Sequence, residues 1–541
     1  MKKLLSLLVA AVMVFSLAAC GSNNNATNDS GTSGGETRPA PVSDAPSGDL
    51  PPASVDSGFS GDVTLEVMLM PAGEMSSAAI KAVSDALTAR VRELGYEFSV
   101  NLSMSGGAWG FDDLNMALQT ASAPDIIPAH SWSGDVHYDT GALTGQYLRL
   151  DHPDNNLMEK YGNIYINTSP AIRDVSVVPG AEGTGIYGVM IDKDSASQIG
   201  YMVNKTYMEE IGLSVSDFNP TDLASWEPVL AAYKAEKGGY PLNIEGEVLA
   251  RAATNMMYYS GTSGPLGIQF DNNNPAATNV TINSRYEVPE FKAYIDIMHG
   301  YYTAGYVDPD QGIVGEVSSE SVATRRNTGD YLITTFVYGP GQEMVLSAQA
   351  SDAQGRDIEI VWMPSYKTPI VTPESAMGAG MAVYSGTSYA AEAVTFLYLW
   401  ATDSVIADLL VAGVEGESWE MRDGLAWYIN ERNGYNMWRW GFSGAGSAAT
   451  PLGDQDADGN EWKNFVDFNA SAATFNVPLF STAPVDAAHS ACVAVIDKYS
   501  VPLGSGAMDP DAYYGFIDEL KAAGLQEVLD EAHMQLDAWL R

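Results

Sequence analysis

The chain has 541 residues, 46% of them hydrophobic and 18% charged, so it is too long for one compact domain and too apolar to be mostly disordered. It carries 27 Lys and Arg against 68 Asp and Glu, a formal net charge of -41, which argues against a nucleic-acid partner held by phosphate neutralisation. The two cysteines, Cys20 and Cys492, are too few for a disulfide framework. We expect two or more lobes, stabilised by neither disulfides nor structural zinc.

Residues 1–19 have the pattern of an export signal. Lys2 and Lys3 precede an apolar run over 4–17, which is shorter than the roughly 20 residues of a membrane-spanning helix. Residues 17–20, Leu-Ala-Ala-Cys, resemble the lipobox of bacterial lipoproteins. This resemblance implies cleavage before Cys20 and lipidation of its sulfur by a diacylglyceryl group (palmitate), so that the protein is anchored at the extracellular face of the cell membrane. Residues 20–58, rich in Asn, Ser, Gly and Pro, are predicted to be the lipidated cysteine and a flexible linker.

The chain after the linker alternates strand and helix patterns. A β-rich run over 63–70 precedes a helical period over 76–94, a strand over 97–104, a helix over 112–121 and a short strand over 124–128. This order predicts an α/β domain with a largely parallel sheet. Ligands of such sheets bind outside the carboxyl ends of the strands. The candidate cleft residues that follow these strands are Glu74, Trp109 and Trp132.

Six segments, in this order, resemble the extracellular solute-binding proteins of ABC importers (family 1 type), in particular the lipid-anchored oligosaccharide-binding group of Gram-positive bacteria. They are 124–151, beginning Pro-Asp-Ile-Ile; 185–213, beginning Gly-Ile-Tyr-Gly; 220–242, beginning Pro-Thr-Asp-Leu; 301–310, ending Asp-Pro-Asp; 411–420, with Gly-Val-Glu-Gly; and 509–539, with an Ala-Gly-Leu turn between two helices.

The resemblance implies a two-lobed α/β fold of the type II periplasmic-binding-protein kind, with crossover hinges near 185–200 and 362–373 and again after about 405. Lobe 1 would hold 59–193 and 370–410, and lobe 2 would hold 194–369 and 411–541. It also implies a monomer without enzymatic activity that binds its ligand between the lobes and delivers it to a membrane permease.

The supply of aromatic residues bears on the ligand. The chain has 11 Trp and 28 Tyr, and sugar rings stack on such faces while their hydroxyls bind carboxylates and amides. For each candidate, packing in the core or in a lid is the alternative role. Because Lys and Arg are scattered singly except at 325–326, we expect a neutral or weakly charged oligosaccharide. The candidate ligand-binding residues are Trp132, Trp362, Trp440, Trp109, Trp419, Glu74 and Asp135.

An acidic loop suggests a calcium site. Asp454, Asp456 and Asp458 alternate before Gly459, as in the first half of an EF-hand loop, and the carbonyl of Asn460 would add a further oxygen. The twelfth position is Phe465 instead of the usual Glu. The sequence therefore leaves two alternatives, a structural Ca²⁺ site and a solvated acidic turn, and it requires no other cofactor.

Other functions have weaker support. A secreted glycoside hydrolase would use two carboxylates, but 68 acidic residues make pairs too common to identify one. Nucleophile-elbow, zinc-protease and phosphate-loop motifs are absent from the sequence. His130 and His137 are interpreted as surface loop residues, and a peptide or another solute remains an alternative ligand.

Several apolar stretches are interpreted as core. In the tail, Tyr513, Phe516, Leu520 and Val528 have helical spacing, as does Met534 further on. The remaining thiol, Cys492, lies in an apolar run and is predicted to be buried and inert.

Overall fold

The structure is a computed structural model. It describes residues 58–106, 111–120, 123–131, 136–165, 168, 173–174, 176–190, 195–244, 246–259, 264–269, 281–309, 319–366, 368–437, 450–453, 459–474, 477 and 480–539.

The described helices follow the apolar periodicity of the sequence. In the first of them, Ser76 caps the amino terminus, and the buried positions Ala79, Val83, Leu87 and Val91 recur every four residues. The helices are α1 (Ser77–Glu93), α2 (Asp112–Leu118), α3 (Tyr138–Thr144), α4 (Leu157–Tyr161), α5 (Lys205–Glu210), α6 (Glu227–Lys237), α7 (Gly246–Thr254), α8 (Pro289–Thr303), α9 (Ser319–Thr328), α10 (Gln342–Gln354), α11 (Pro373–Ala376), α12 (Ala390–Thr402), α13 (Ser404–Ala412), α14 (Glu461–Ala470), α15 (Asp486–Ser505), α16 (Ala512–Ala522) and α17 (Leu525–Trp539).

The described strands are short, and nine of the twenty belong to the two largest sheets. They are β1 (Thr64–Leu69), β2 (Ser99–Met104), β3 (Ile126–Pro128), β4 (Asp151–His152), β5 (Asn155–Asn156), β6 (Val177–Val178), β7 (Gly185–Ile186), β8 (Val189–Met190), β9 (Gln198–Asn204), β10 (Leu242–Asn243), β11 (Met256–Tyr258), β12 (Leu266–Gln269), β13 (Thr281–Ser284), β14 (Ile333–Tyr338), β15 (Ile360–Pro364), β16 (Ile370–Val371), β17 (Gly380–Val383), β18 (Trp419–Arg422), β19 (Leu425–Tyr428) and β20 (Ala473–Thr474).

The first sheet has the order β2-β1-β3-β17-β8. Strands β2 and β3 both run parallel to β1, so the predicted parallel sheet is confirmed, whereas β17 runs antiparallel to β3. Its core includes β1, α1 and the apolar helix α12, in which Phe396 is fully buried.

The second sheet has the order β10-β14-β9-β15. Strands β14 and β15 both run antiparallel to the central, fully buried β9. The core around it includes Ile333, Trp226 and the tail residues Tyr513 and Phe516. Two cores on two sheets make the chain two-lobed.

The boundary after residue 410 differs from the predicted one. Tyr435, Met437 and Phe465 are buried in the first core, although the sequence analysis placed 411–541 in lobe 2. The Tyr435 hydroxyl donates to the carbonyl oxygen of Leu410 at 3.2 Å, which returns the hairpin of β18 and β19 to the end of α13. The sequence of residues 411–437 does not show which core this segment joins, because that depends on contacts with residues distant in the chain.

The outer edge of the first sheet is covered by hydroxyl groups of α1. Edge strands expose unpaired backbone N–H groups, which invite pairing with other chains. Ser84 Oγ accepts from the N–H of Leu102 at 3.0 Å. Thr88 Oγ1, one turn later on α1, accepts from the N–H of Val100 at 3.0 Å. The two helix residues therefore satisfy two successive outward amides of the edge strand β2.

The edge strand of the second sheet is covered in the same way. Ser347 and Ser351, four residues apart on α10, accept from the N–H groups of Ile360 and Ile358, both at 2.9 Å. Each serine hydroxyl also donates to a carbonyl oxygen of the preceding helical turn, at 2.7 Å. Both lobes thus protect one sheet edge with a pair of hydroxyls on the covering helix.

The carboxy-terminal helices largely match their prediction. Tyr513, Phe516, Leu520 and Val528 are buried, as their spacing indicated. Met534 is 60% exposed, so its assignment to the core was wrong, because it lies on the outer face of α17. Cys492 is fully buried on α15, and burial raises the pKa of its thiol to about 11.

No single helix of the described residues is both long enough and apolar enough to cross a bilayer. Helices α12 and α13 reach that length and apolar character only together, as a pair that is bent by 91°.

Candidate functional site

The candidate site is the junction between the two sheets. In lobe 1, the parallel strands β1, β2 and β3 end at one edge, where β17 begins and β8 ends. In lobe 2, β14 and β15 end at the edge where β9 begins. The chain passes between these edges from β8 to β9 and from β15 to β17, and it enters lobe 2 once more after α14.

The two passing segments are hydrogen-bonded to each other. The N–H of Ser197 donates to the carbonyl oxygen of Ile370 at 2.7 Å, and the N–H of Ile370 donates to Ser197 at 2.9 Å. Beside them, the N–H of Ala196 donates to the side chain of Asn469 on α14 at 3.0 Å. Short paired segments of this kind are typical of a hinge.

Three aromatic side chains meet at the lobe 2 edge. The rings of Tyr338 and Trp362 are stacked, with centroids 4.5 Å apart and planes at 16°. Phe468 of α14 meets Tyr338 edge-on at 5.7 Å. A Cβ on Gly200 would lie 2.8 Å from the Trp362 ring, so glycine in the neighbouring strand makes room for it. We call Tyr338, Trp362 and Phe468 the aromatic cluster.

Helix α14 connects this cluster to the other lobe. Its Phe465 is buried in the first core, while its Phe468 contacts Tyr338 of the second sheet. The aromatic cluster therefore lies where the lobes adjoin.

Polar atoms with no bonding partner lie beside the cluster. The Tyr338 hydroxyl donates to Glu343 Oε1 at 3.3 Å, and burial raises the pKa of Tyr338 well above its usual value, with Glu343 adding to the effect. Within the described part of the chain, the buried Trp362 Nε1 and Glu343 Oε2 have no hydrogen-bond partner. Buried polar atoms are normally paired. One buried donor and one buried acceptor without protein partners therefore lie beside aromatic rings, and these are the kinds of group that bind a sugar.

The lobe 1 edge contains a buried histidine. His130 follows β3 and is fully buried, and burial lowers the pKa of its imidazole to about 3. Its interpretation as a surface residue was wrong, because its backbone pairs with Val136 and Tyr138 and draws the side chain inward. His137 is half-buried beside Asp139. Glu74 is exposed after β1, and its carbonyl oxygen accepts from Asn436 at 2.8 Å.

Trp419 is held in packing. It is 4% exposed, and its Nε1 donates to the carbonyl oxygen of Gly413 at 2.9 Å. This placement does not support ligand contact by Trp419. Four further candidate ligand-binding residues lie outside the described residues, namely Trp109, Trp132, Asp135 and Trp440.

Most of the acidic loop and the proposed lipidation site, Cys20, also lie outside the described residues, as do Asp454, Asp456 and Asp458. Asn460 is described and exposed. Asp467, a carboxylate seven residues further on, pairs with Lys463. Among the residues that the structure covers, no three His, Cys, Asp or Glu side chains are grouped to hold a metal.

Sequence reasoning missed Tyr338, Glu343 and Phe468. Tyr338 ends an apolar strand and precedes a Gly-Pro-Gly turn, so the rule applied to the first lobe would have found it. Phe468 gave no such signal, because only the fold brings α14 to the second sheet.

Comparisons with known proteins agree with this architecture. Residues 479–541 match the model of the family described as "Domain of unknown function (DUF3502)". A protein of Streptococcus pneumoniae named "Carbohydrate ABC transporter substrate-binding protein" is 24% identical over 444 residues, which are 80% of this chain and 83% of that protein.

Two solved structures share the fold. The N-glycan transport solute binding protein (NgtS) from Streptococcus pneumoniae superposes with a TM-score of 0.68 at 21% identity, covering 88% of this chain and 98% of that one. An HMO binding ABC-transporter associated solute binding protein from Bifidobacterium longum infantis gives a TM-score of 0.59 at 15% identity, covering 89% of this chain and 99% of that one. The predicted resemblance is confirmed: the chain has the two-lobed fold of the solute-binding proteins of ABC importers.

Proposed function

We propose that this protein is the substrate-binding component of an ABC importer, which captures an oligosaccharide between its two lobes and passes it to a membrane permease. The observation that carries the proposal is the aromatic cluster at the lobe junction, with its unpartnered indole N–H and carboxylate oxygen. Stacking faces with a few convergent polar groups suit a sugar. A relative named as a carbohydrate transporter protein, similar over 80% of this chain, supports the ligand class.

Ligand capture would act by closing the lobes. The paired segments at Ser197 and Ile370 are the hinge in this proposal. Closure removes water from the aromatic cluster, which strengthens its hydrogen bonds to the sugar. A permease would recognise the closed form by its higher affinity for the surface that both lobes then present.

The test is calorimetry on the intact protein with a glycan panel. The panel contains mannose-GlcNAc glycans, because NgtS was solved in complex with Man1GlcNAc, together with milk oligosaccharides and plant oligosaccharides. We expect stoichiometric binding without turnover of the glycan, and a smaller radius of gyration in X-ray scattering at saturation. Hydrolysis of a panel member would favour the alternative, a glycoside hydrolase. Binding with an unchanged radius would contradict closure.

Three finer proposals extend this function. The protein is anchored at the outer membrane face through a lipid on Cys20, and Cys20→Ala would release it into the medium. The loop of Asp454, Asp456, Asp458 and Asn460 binds a structural Ca²⁺ ion, so a chelator would lower the melting temperature of the native protein. Trp132, Trp109, Trp440 and Asp135 contribute to the same cleft from the strand ends.

A further inference from the structure

A buried arginine in lobe 2 pairs with no acidic side chain of the described residues. Arg251, on α7, is 8% exposed, and its Nη2 lies 3.3 Å from the sulfur of Met257. Its guanidinium carbon lies 4.2 Å from the centre of the Tyr258 ring. The buried Nε of Arg251 has no hydrogen-bond partner, and no carboxylate of the described residues pairs with this side chain.

A second buried arginine shares the same ring. Arg285 is 5% exposed, and its guanidinium carbon lies 4.5 Å from the centre of the Tyr258 ring. Its Nη1 donates to the carbonyl oxygen of Gly264 at 2.9 Å. Arg251 and Arg285 are far apart in the sequence, where basic residues are scattered singly. The fold brings the two together around one tyrosine.

Burying the charged guanidinium of Arg251 without a carboxylate partner costs free energy. A guanidinium keeps its charge in proteins, and a buried charge is normally paired because leaving water costs several kcal/mol. Cation-π contact with Tyr258 offsets only about 0.5–2 kcal/mol. Elsewhere a partly buried arginine is paired: Arg90 donates to Asp403 at 2.7 Å. Arg251 thus carries a buried charge that pairs with no carboxylate of the described residues, and an anion would neutralise it.

The position of Arg251 connects it to the lobe junction. Tyr366, two residues after the end of β15, donates its hydroxyl to the sulfur of Met257 at 3.8 Å. Burial raises the pKa of Tyr366 to about 12, and the nearby charge of Arg251 opposes this shift. The carbonyl oxygen of Tyr366 accepts from Gln198, the first residue of β9, at 2.9 Å. Arg251 is therefore linked through Met257 and Tyr366 to Gln198, at the edge where the hinge enters lobe 2. Its neighbour Tyr258 is half-buried.

We propose that Arg251, with Tyr258 and Arg285, forms a subsite for the carboxylate of an acidic sugar in the bound oligosaccharide. The proposal rests on the proposed function and adds to it the charge of the ligand. A carboxylate would accept two parallel N–H bonds from a guanidinium. It would also supply the counter-charge that none of the described residues provides to Arg251.

The first experiment compares matched acidic and neutral glycans by calorimetry on the intact protein. The pairs are sialyllactose against lactose and trigalacturonate against maltotriose. We expect the acidic member of at least one pair to bind about tenfold or more tightly than its neutral partner, as a charged hydrogen bond would provide. Arg251→Met should remove this difference and leave the affinity for the neutral member unchanged.

The second experiment needs no ligand. Arg251→Met replaces an unpaired buried charge by an apolar side chain of similar length, so it should raise the melting temperature of the ligand-free protein. The matched control is Arg90→Met, which leaves Asp403 without its partner and should lower the melting temperature. Equal losses in both variants would overturn the inference.

The outcomes separate the two proposals. If neutral glycans of the panel bind while acidic ones bind no better, with or without Arg251, the subsite is wrong and the proposed function stands. If no glycan binds, both are wrong.

Discussion

Removing the Trp362 ring should weaken glycan binding without unfolding the protein. One face of this indole is covered by Tyr338, at 4.5 Å between centroids, so a sugar can contact at most the other face of this partly buried ring. An aromatic side chain buries about 150–250 Å², one face about half of that, and about 25 cal/mol/Å² gives about 2–3 kcal/mol for the contact. Trp362→Ala should therefore raise the Kd about 30- to 150-fold. Calorimetry with the best-binding member of the glycan panel measures this change.

Two controls make the result specific. Trp362→Phe keeps a ring on Tyr338 but lacks the N–H, so it should retain more affinity than the alanine variant. Trp226→Phe alters a buried core residue, whose Nε1 donates to Asn219 at 2.8 Å. It should lower the melting temperature and leave the Kd of the folded protein unchanged. An unchanged Kd in folded Trp362→Ala would show that the aromatic cluster is only packing, and the site would have to lie elsewhere.

Three further predictions concern stability. Replacing both Ser347 and Ser351 by alanine leaves two edge amides without their acceptors. Urea denaturation should show a free energy of unfolding lower by about 2 kcal/mol, at about 1 kcal/mol for each lost hydrogen bond. Ser500→Ala removes an exposed hydroxyl and should leave the free energy of unfolding almost unchanged, so equal losses in the two variants would refute the reasoning. Glu431 has φ of 50° within a left-handed run, so Glu431→Gly should raise the melting temperature by relieving strain, and a lower value would contradict this. Burial lowers the pKa of His130 to about 3, so below about pH 6.5 the unfolded chain binds a proton on this residue and the folded chain does not. The free energy of unfolding should therefore decrease as the pH is lowered from 7.5 to 5.0. His130→Gln should make this decrease smaller, and an unchanged pH dependence in the variant would contradict the prediction.

The local elements could be predicted from sequence because they depend on neighbours in the chain. The helix at Ser77–Glu93 and the strand at Ser99–Met104 follow apolar periods that any window of the sequence contains. The two-lobed fold could be predicted because six short segments resemble one family in the same order, and each segment can be recognised from its own residues. The exposed Met534 shows the limit of this reasoning: helical spacing predicts which side chains share a face, but an extra residue at the margin of that face can point to water.

The candidate site was predicted only in part. Trp362 was found because it is an aromatic residue outside the apolar stripes assigned to the core, and the structure places it in β15 instead of the expected loop. Its partners Tyr338 and Phe468 come from other segments of the chain, and their contact depends on how two sheets and α14 pack. His130 and Trp419 look like loop residues in the sequence, and the fold buries both.

The sequence by itself determined the class of the molecule: an acidic, two-lobed α/β protein with few cysteines and a large supply of aromatic rings. Only the tertiary structure decided which rings stack at the lobe junction, which core the hairpin after Gly413 covers, and that Arg251 and Arg285 meet on one tyrosine. Periodicity and composition report on a residue and its near neighbours. Burial, charge pairing and the register of distant strands depend on contacts between segments far apart in the chain, and these are formed only when the whole chain packs.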